Sequence, residues 1–284
     1  MNAVKFEDVT KKRKDFTLDN INMTIPRGFV TGFIGPNGSG KTTTIQMLMN
    51  LLTPDSGNIT LFDKSHKNHQ VKQRIGFVYD DLYMYEEFTV NKMKAFIAPI
   101  YENWNETLFQ KYVKEFDLPL RKKLKHFSKG MKMKCSLLFA LAHEPEFIIM
   151  DEPTSGLDPI FRRELLDQLQ ELMLRDNQTI FLSTHITTDL ERIADYIVFI
   201  YKGEIIFQKS MLEIQEQFHI VKGKKEMIDA DTETLFSGIK LNEHGFAALY
   251  EGDPGIFDVY GEEMVIENAS LEDIMYFLTR EGKK

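Results

Sequence analysis

Gly35-Pro36-Asn37-Gly38-Ser39-Gly40-Lys41-Thr42 has the spacing G-x-x-x-x-G-K-[ST], a loop built to cradle phosphate. Glycines at 35, 38 and 40 permit backbone angles that other residues resist, so successive amides can turn inward on phosphate oxygens at the positive end of a following helix. Lys41 is placed to reach the β- and γ-phosphates and the Thr42 hydroxyl to ligate Mg²⁺, with Thr43 closing the nucleotide-binding run. This fixes the ligand class as a nucleotide. The chemistry needs a strand before the loop and a helix after it. The sequence supplies both: Phe29 to Ile34 reads as a buried strand, Thr43 to Met49 as a helix, and Pro54 as its stop.

A second constellation follows about a hundred residues on. Phe147-Ile148-Ile149-Met150-Asp151-Glu152 reads as a strand buried on both faces and ending in two acids. Carboxylates at the carboxyl end of a parallel strand face the crevice where such sheets bind ligands. Asp151 is placed to hold the Mg²⁺ shell, as a Walker B acid does, and Glu152 to orient and deprotonate an attacking water. Phe127-Ser128-Lys129-Gly130-Met131 lies between the two motifs. Ser155-Gly156-Leu157-Asp158 and Thr184-His185 come after them, the latter at the end of a strand over Thr179 to Ser183.

With five motifs in this order, the chain resembles the ATP-binding subunit of an ABC transporter from about residue 1 to residue 210. The resemblance implies an α/β fold: a RecA-like P-loop nucleotide-binding core, an N-terminal antiparallel β region, a helical signature lobe and a small α+β C-terminal appendage. It implies that two cassettes, identical or different, sandwich two ATP molecules. Ser128, Lys129 and Gly130 of one signature segment, with Asp158 of the D-loop, would then serve the nucleotide held by the other. His185 would contact the γ-phosphate and stabilise charge as it transfers.

The match has departures. A signature that usually reads LSGGQ here carries Lys129, Gly130 and Met131; the added cation either supports the γ-phosphate or projects into solvent. Asp80 stands where the family has a glutamine, and its carboxylate suits a water-mediated contact to Mg²⁺. An acid there is similar to the branch whose membrane partners are ABC-2-type permeases, exporting drugs, bacitracin-like antibiotics and amphipathic peptide toxins. The surface on which adenine stacks falls to Phe16, or to the planar guanidinium of Arg13.

Lys11 to Lys14 form a basic cluster that reads best as a solvated turn, since 43 acids against 35 Lys plus Arg give a net charge of -8, against an extended nucleic-acid footprint. No run approaches the length of a membrane span and no signal peptide is apparent, so the expected place is the cytoplasmic face of a bacterial membrane beside a separate channel chain. Cys135 is the single cysteine, so an intramolecular disulfide is excluded, and its apolar neighbours make it a buried structural thiol.

The expected organisation is an ATP-binding domain over 1–215, with a helical lobe at about 82–139, and an α+β accessory domain over 216–284. Helices are expected over Asn91 to Tyr101 and Thr107 to Phe116. By resemblance the lobe receives the permease's coupling helix. The aromatic stretch Leu82 to Phe88 either lines that docking groove or covers the lobe's own core. In the last segment, strands are expected at Phe246 to Tyr250 and Ile256 to Tyr260, and a final helix, Leu271 to Arg280, starts at a capping box on Ser270. The leading reading is an ATPase subunit powering export; the alternative is a soluble ABC ATPase acting on ribosomes, DNA or a protein assembly.

Overall fold

The computed structural model describes residues 1–79, 84–176 and 178–280. Asn2–Arg13 (β1) and Phe16–Pro26 (β2) pair antiparallel, with Arg13 opposite Phe16 at the turn. Val30–Ile34 (β3) then leads through the glycine loop into Lys41–Leu48 (α1). Ser56–Leu61 (β4) and Lys64–Ser65 (β5) return to the first sheet, whose order is β2-β1-β4-β5. His69–Lys72 (α2) and Ile75–Val78 (β6) precede a run of helices: Val90–Ile97 (α3), Glu106–Glu115 (α4) and Lys129–Leu141 (α5).

Phe147–Asp151 (β7), Pro159–Asp176 (α6), Thr179–Thr184 (β8), Thr187–Ile193 (α7), Tyr196–Tyr201 (β9) and Glu204–Ser210 (β10) complete the central layer, a six-stranded sheet of order β10-β9-β3-β8-β7-β6. The contacts β3–β8, β3–β9, β6–β7 and β7–β8 are parallel. Strands of this kind are covered on both faces, which is why β7 carries the apolar run Phe147 to Met150 and β8 the run Ile180 to Leu182. Phe147, Ile148, Ile149, Ile180, Phe181 and Leu182 are all wholly buried. Each contributes roughly 1.5–3 kcal/mol of transfer free energy. That core fixes where the carboxyl ends of β3, β7 and β8 stand, and the loops on those ends carry the chemistry.

Two expectations on the helices need adjusting. The helix expected to reach Tyr101 stops at Ile97, and Ala98–Ile100 continue only as a 3₁₀ turn because Pro99 has no N–H to donate. The following helix begins one residue early, at Glu106, because the Asn105 side chain accepts from Leu108 N–H at 3.0 Å and caps it. Cys135 lies inside α5 with no exposure, and burial pushes its thiol up to about 12.

The chain divides into two compact units, one of residues 1–186 and 192–208, the other of 187–191 and 209–284. In the second, Met211–Gln217 (α8), Phe218–Gly223 (β11), Ala230–Glu233 (α9), Phe236–Leu241 (β12), Phe246–Glu251 (β13), Met264–Asn268 (β14) and Leu271–Thr279 (α10) build an antiparallel sheet of order β12-β13-β11-β14 with its own core. Ser270 and Asp273 form the capping box of α10. The strand expected over Ile256 to Tyr260 is absent: Pro254–Glu263 is a 3₁₀ run that starts at an Asp253 cap. The physical reason is that only Phe257 is fully anchored, against the rings of Phe236 and Tyr250, while Ile256 and Val259 face solvent. A ladder would have put Ile256 and Tyr260 on one face, with Phe257 on the other.

Candidate active site

Gly35 to Thr43 run from the end of β3 into the first turn of α1. Two of the glycines are required by geometry. A Cβ on Gly35 would stand 2.2 Å from the Ile200 carbonyl oxygen, so β9 approaches the loop as closely as backbone can. Gly40 has φ +113°, and a Cβ there would meet Leu18 at 2.6 Å and the Phe16 ring at 2.9 Å. The amides of Lys41, Thr42 and Thr43 occupy the first helical turn, where no intrahelical acceptor exists.

The Lys41 side chain is only 6% exposed and curls back into the loop, donating from Nζ to the Gly35 carbonyl at 2.7 Å. The buried Ser39 Oγ has no hydrogen-bond partner. The buried Lys41 cation and the first-turn residues Thr42 and Thr43 line one hollow. That donor set fits an anionic, oxygen-rich ligand such as a triphosphate.

The hollow is a cavity of about 590 Å³ lined by Arg13, Asp15, Phe16, Asn37, Gly38, Gly40, Lys41, Thr42, Thr43, Glu152, Ser155 and His185. Phe16 and Arg13 share it, so both surfaces named for base stacking stand at the site. Asp15 also lines the hollow, and its only sequence signal is its place beside Phe16 in the β1–β2 turn.

Glu152 follows β7 directly and has φ +49°, a left-handed backbone that non-glycine residues seldom adopt. Its N–H donates to the Ser183 carbonyl at 2.9 Å, which holds the turn. The twist brings its carboxylate to 3.5 Å from Lys41 Nζ and 2.7 Å from His185 Nδ1, with the glutamate 17% and the histidine 41% exposed. Asp151, one residue earlier, is buried and accepts from Ser183 Oγ at 2.5 Å. No local sequence pattern marks Ser183 for this contact, because only the parallel register Asp151 opposite Ser183 brings β8 to that carboxylate.

Ser128, Lys129, Gly130 and Asp158 gather elsewhere. They line a separate cavity of about 520 Å³ that shares no residue with the first. Ser128 caps α5, accepting from Met131 N–H at 3.2 Å, and Asp158 caps α6, accepting from Phe161 N–H at 3.0 Å. Phe161 packs against Gly130, where a Cβ would sit 3.2 Å from the ring. Lys129 does not extend away from the protein: its Nζ would lie 2.6 Å from a Cβ on Gly156, so it leans over the D-loop. Asp80 lies outside the described residues.

A third hollow, about 640 Å³ and mainly apolar, is lined by residues that include Met84, Tyr85, Met93, Phe96, Tyr101 and Phe139. Leu82 and Tyr83 of the aromatic stretch are outside the described residues. Among the described residues no helix is long and apolar enough to cross a membrane.

A mainly parallel sheet with a glycine loop after β3, a lysine buried in that loop and an acid pair at the end of β7 defines a P-loop nucleoside triphosphatase. The ABC transporter family matches residues 18–155. The bacitracin transport ATP-binding protein BcrA of Bacillus licheniformis is 34% identical over 208 residues, covering 72% of this chain and 68% of that one. Its namesake in Enterococcus faecalis is 30% identical, covering 76% and 71%. The lantibiotic transport ATP-binding protein SrtF of Streptococcus pyogenes is 34% identical, covering 68% and 83%. A solved ATP-binding subunit of an ABC transporter superposes with a TM-score of 0.68 at 27% identity, over 75% of this chain and 92% of that one. The chain therefore belongs to the ATP-binding subunits of ABC transporters. It is an ATPase whose hydrolysis powers transport, and such subunits dimerise and associate peripherally with membrane permeases.

Proposed function

We propose that this chain powers an ABC-2-type exporter on the cytoplasmic face of a bacterial membrane, paired with a second cassette and moving an amphipathic peptide, an antibiotic or another hydrophobic cargo. The observation that carries the reading is the Lys41–Glu152–His185 contact at the mouth of the phosphate loop. The two distances, 3.5 Å and 2.7 Å, support reading Glu152 as the base, Lys41 as the phosphate-binding cation and His185 as the charge-stabilising imidazole. The named transport roles of BcrA and SrtF support the direction and class of cargo.

The roles divide as follows. The loop amides and Lys41 hold the β- and γ-phosphates, and Phe16 carries the base. Thr42 and Asp151 would hold Mg²⁺, which neutralises charge on the phosphate oxygens. Ser183 fixes the Asp151 carboxylate for that task. Asp80 is assigned to the same shell through a water. Glu152 positions the attacking water and accepts its proton. His185, aligned by Glu152, stabilises the charge that develops on the γ-phosphate. Ser128, Lys129 and Gly130, with Asp158, act on the nucleotide of the opposite cassette, which accounts for their separate cavity. The apolar groove under Tyr85 and Phe96 receives a helix of the permease.

The test is purification of the tagged chain from detergent-solubilised cells, with partners identified by mass spectrometry. A multi-span membrane protein at near-equal stoichiometry is expected. Recovery only with ribosomes, nucleic-acid proteins or soluble assemblies would overturn the exporter reading in favour of a soluble ABC ATPase.

A further inference from the structure

Tyr85-Glu86-Glu87-Phe88 is a turn with aromatics at its ends and acids in its middle, closed by a bond from Phe88 N–H to the Tyr85 carbonyl at 2.9 Å. Of its aromatic ends, Tyr85 lines the apolar groove and Phe88 packs against Tyr85. The Tyr85 ring lies 5.1 Å from that of Phe88 and edge-on to Phe96 at 6.2 Å. Tyr85 is also 61% exposed, a large amphipathic ring standing at a groove's rim.

The acids make a different set of contacts. Glu87 accepts Lys123 at 2.9 Å and Lys125 at 2.7 Å, and Glu86 accepts Lys132 at 3.0 Å. Backbone bonds run in parallel with these pairs: Leu124 N–H to the Phe88 carbonyl and Lys125 N–H to the Glu86 carbonyl, both at 2.9 Å. A β-bridge joins Thr89 to Lys123. Lys123 and Lys125 precede Ser128, and Lys132 follows it in the first turn of α5. The turn therefore grips the chain on both sides of Ser128.

Single exposed ion pairs contribute little. Here one carboxylate takes two lysines in a geometry already set by backbone bonds, so the side chains lose less freedom in forming the pairs. Lys125 and Lys123 hold the Glu87 carboxyl down to about 2, so the grip is not titrated away near neutral pH.

We propose that Glu86 and Glu87 are positioning residues that tie occupancy of the apolar groove to the placement of Ser128: a partner helix pressing on Tyr85 shifts the turn, and the turn carries the signature segment with it. This rests on the reading that Ser128 serves the opposite cassette's nucleotide. The isolated chain already contains the whole linkage, so it can be tested before the permease is known.

The assay takes the full chain carrying Glu152→Gln and measures the ATP concentration for half-maximal dimerisation by light scattering. Binding of a fluorescent ATP analogue to dilute single chains is measured in parallel. Glu87→Lys is expected to raise the dimerisation midpoint by about five-fold, and Glu87→Gln to do so by less, with analogue binding unchanged. Adding Lys123→Glu and Lys125→Glu to Glu87→Lys should restore the midpoint to within about twofold. Tyr85→Ala should shift it in the same direction, and combining it with Glu87→Gln should add little to the larger single effect, since both act through one turn.

Unchanged midpoints in the Glu87 variants, or additive shifts with Tyr85→Ala, would overturn the linkage while leaving the ATPase reading intact. Absence of ATP-driven dimerisation in the Glu152→Gln parent would overturn pairing between two copies of this chain, and the linkage with it.

Discussion

Replacing Glu152 by glutamine keeps the shape of the side chain and removes its charge, and the surroundings of that carboxylate give opposite signs for binding and turnover. Lys41 Nζ is 3.5 Å away. At that distance and an effective dielectric near 20, the gross attraction is about 5 kcal/mol. Desolvation of two largely buried charges cancels most of it. If about 1 kcal/mol of net attraction is released to the incoming phosphates, ATP should bind about five-fold more tightly. Hydrolysis moves the other way. Losing a positioned general base costs roughly 10²–10⁴-fold in rate, or about 3 to 5 kcal/mol on the barrier. His185 also loses its anionic partner, which adds to the deficit without touching ground-state binding. Titration with a fluorescent ATP analogue measures the first effect, and phosphate release at saturating ATP the second. Turnover within about threefold of the parent, or binding that weakens, would refute the assignment of Glu152 as the base competing for Lys41.

Phe16→Ala should raise the Kd for ATP by about five- to a hundredfold, the usual worth of one aromatic–base stack, while kcat at saturation changes little; equilibrium binding and steady-state kinetics check the split. Gly35→Ala should lower stability by about 1–3 kcal/mol, because the new methyl must displace the β9 backbone at Ile200, and urea unfolding measures it. Cys135, fully buried with its thiol raised to about 12, should resist a thiol-reactive dye at pH 8 in the native protein and react completely in denaturant.

The catalytic loops were legible because each motif couples a backbone requirement to a side-chain role. Gly35 and Gly40 occupy positions where any Cβ collides, and Asp151 ends a strand whose five residues are all buried, with Glu152 directly after it. Residues that act through register were not legible. Ser183 reaches Asp151 only because β8 lies in register beside β7, and no local pattern encodes that alignment. The same holds for the segment from Pro254 to Glu263, where Phe257 sets the conformation through contacts with two distant strands. Lys129 was legible as a departure but not as a neighbour of Gly156, since the two are brought together by α5 and the D-loop packing through Phe161.

The order of strands in the central sheet bears on how this protein is made. β3, which carries the phosphate loop, is flanked by β8 and β9, and its Val30 pairs with Ile180. The partners are 150 residues apart, so a ribosome adding about 5–20 residues per second needs roughly 8 to 30 s between them. Throughout that interval the loop strand has neither lateral neighbour, and its glycines are free of the close approach from Ile200. An emerging chain therefore lacks the completed ATP-binding loop until nearly all of the first unit has been synthesised, and β3, an apolar strand with two open edges, needs shielding during that time.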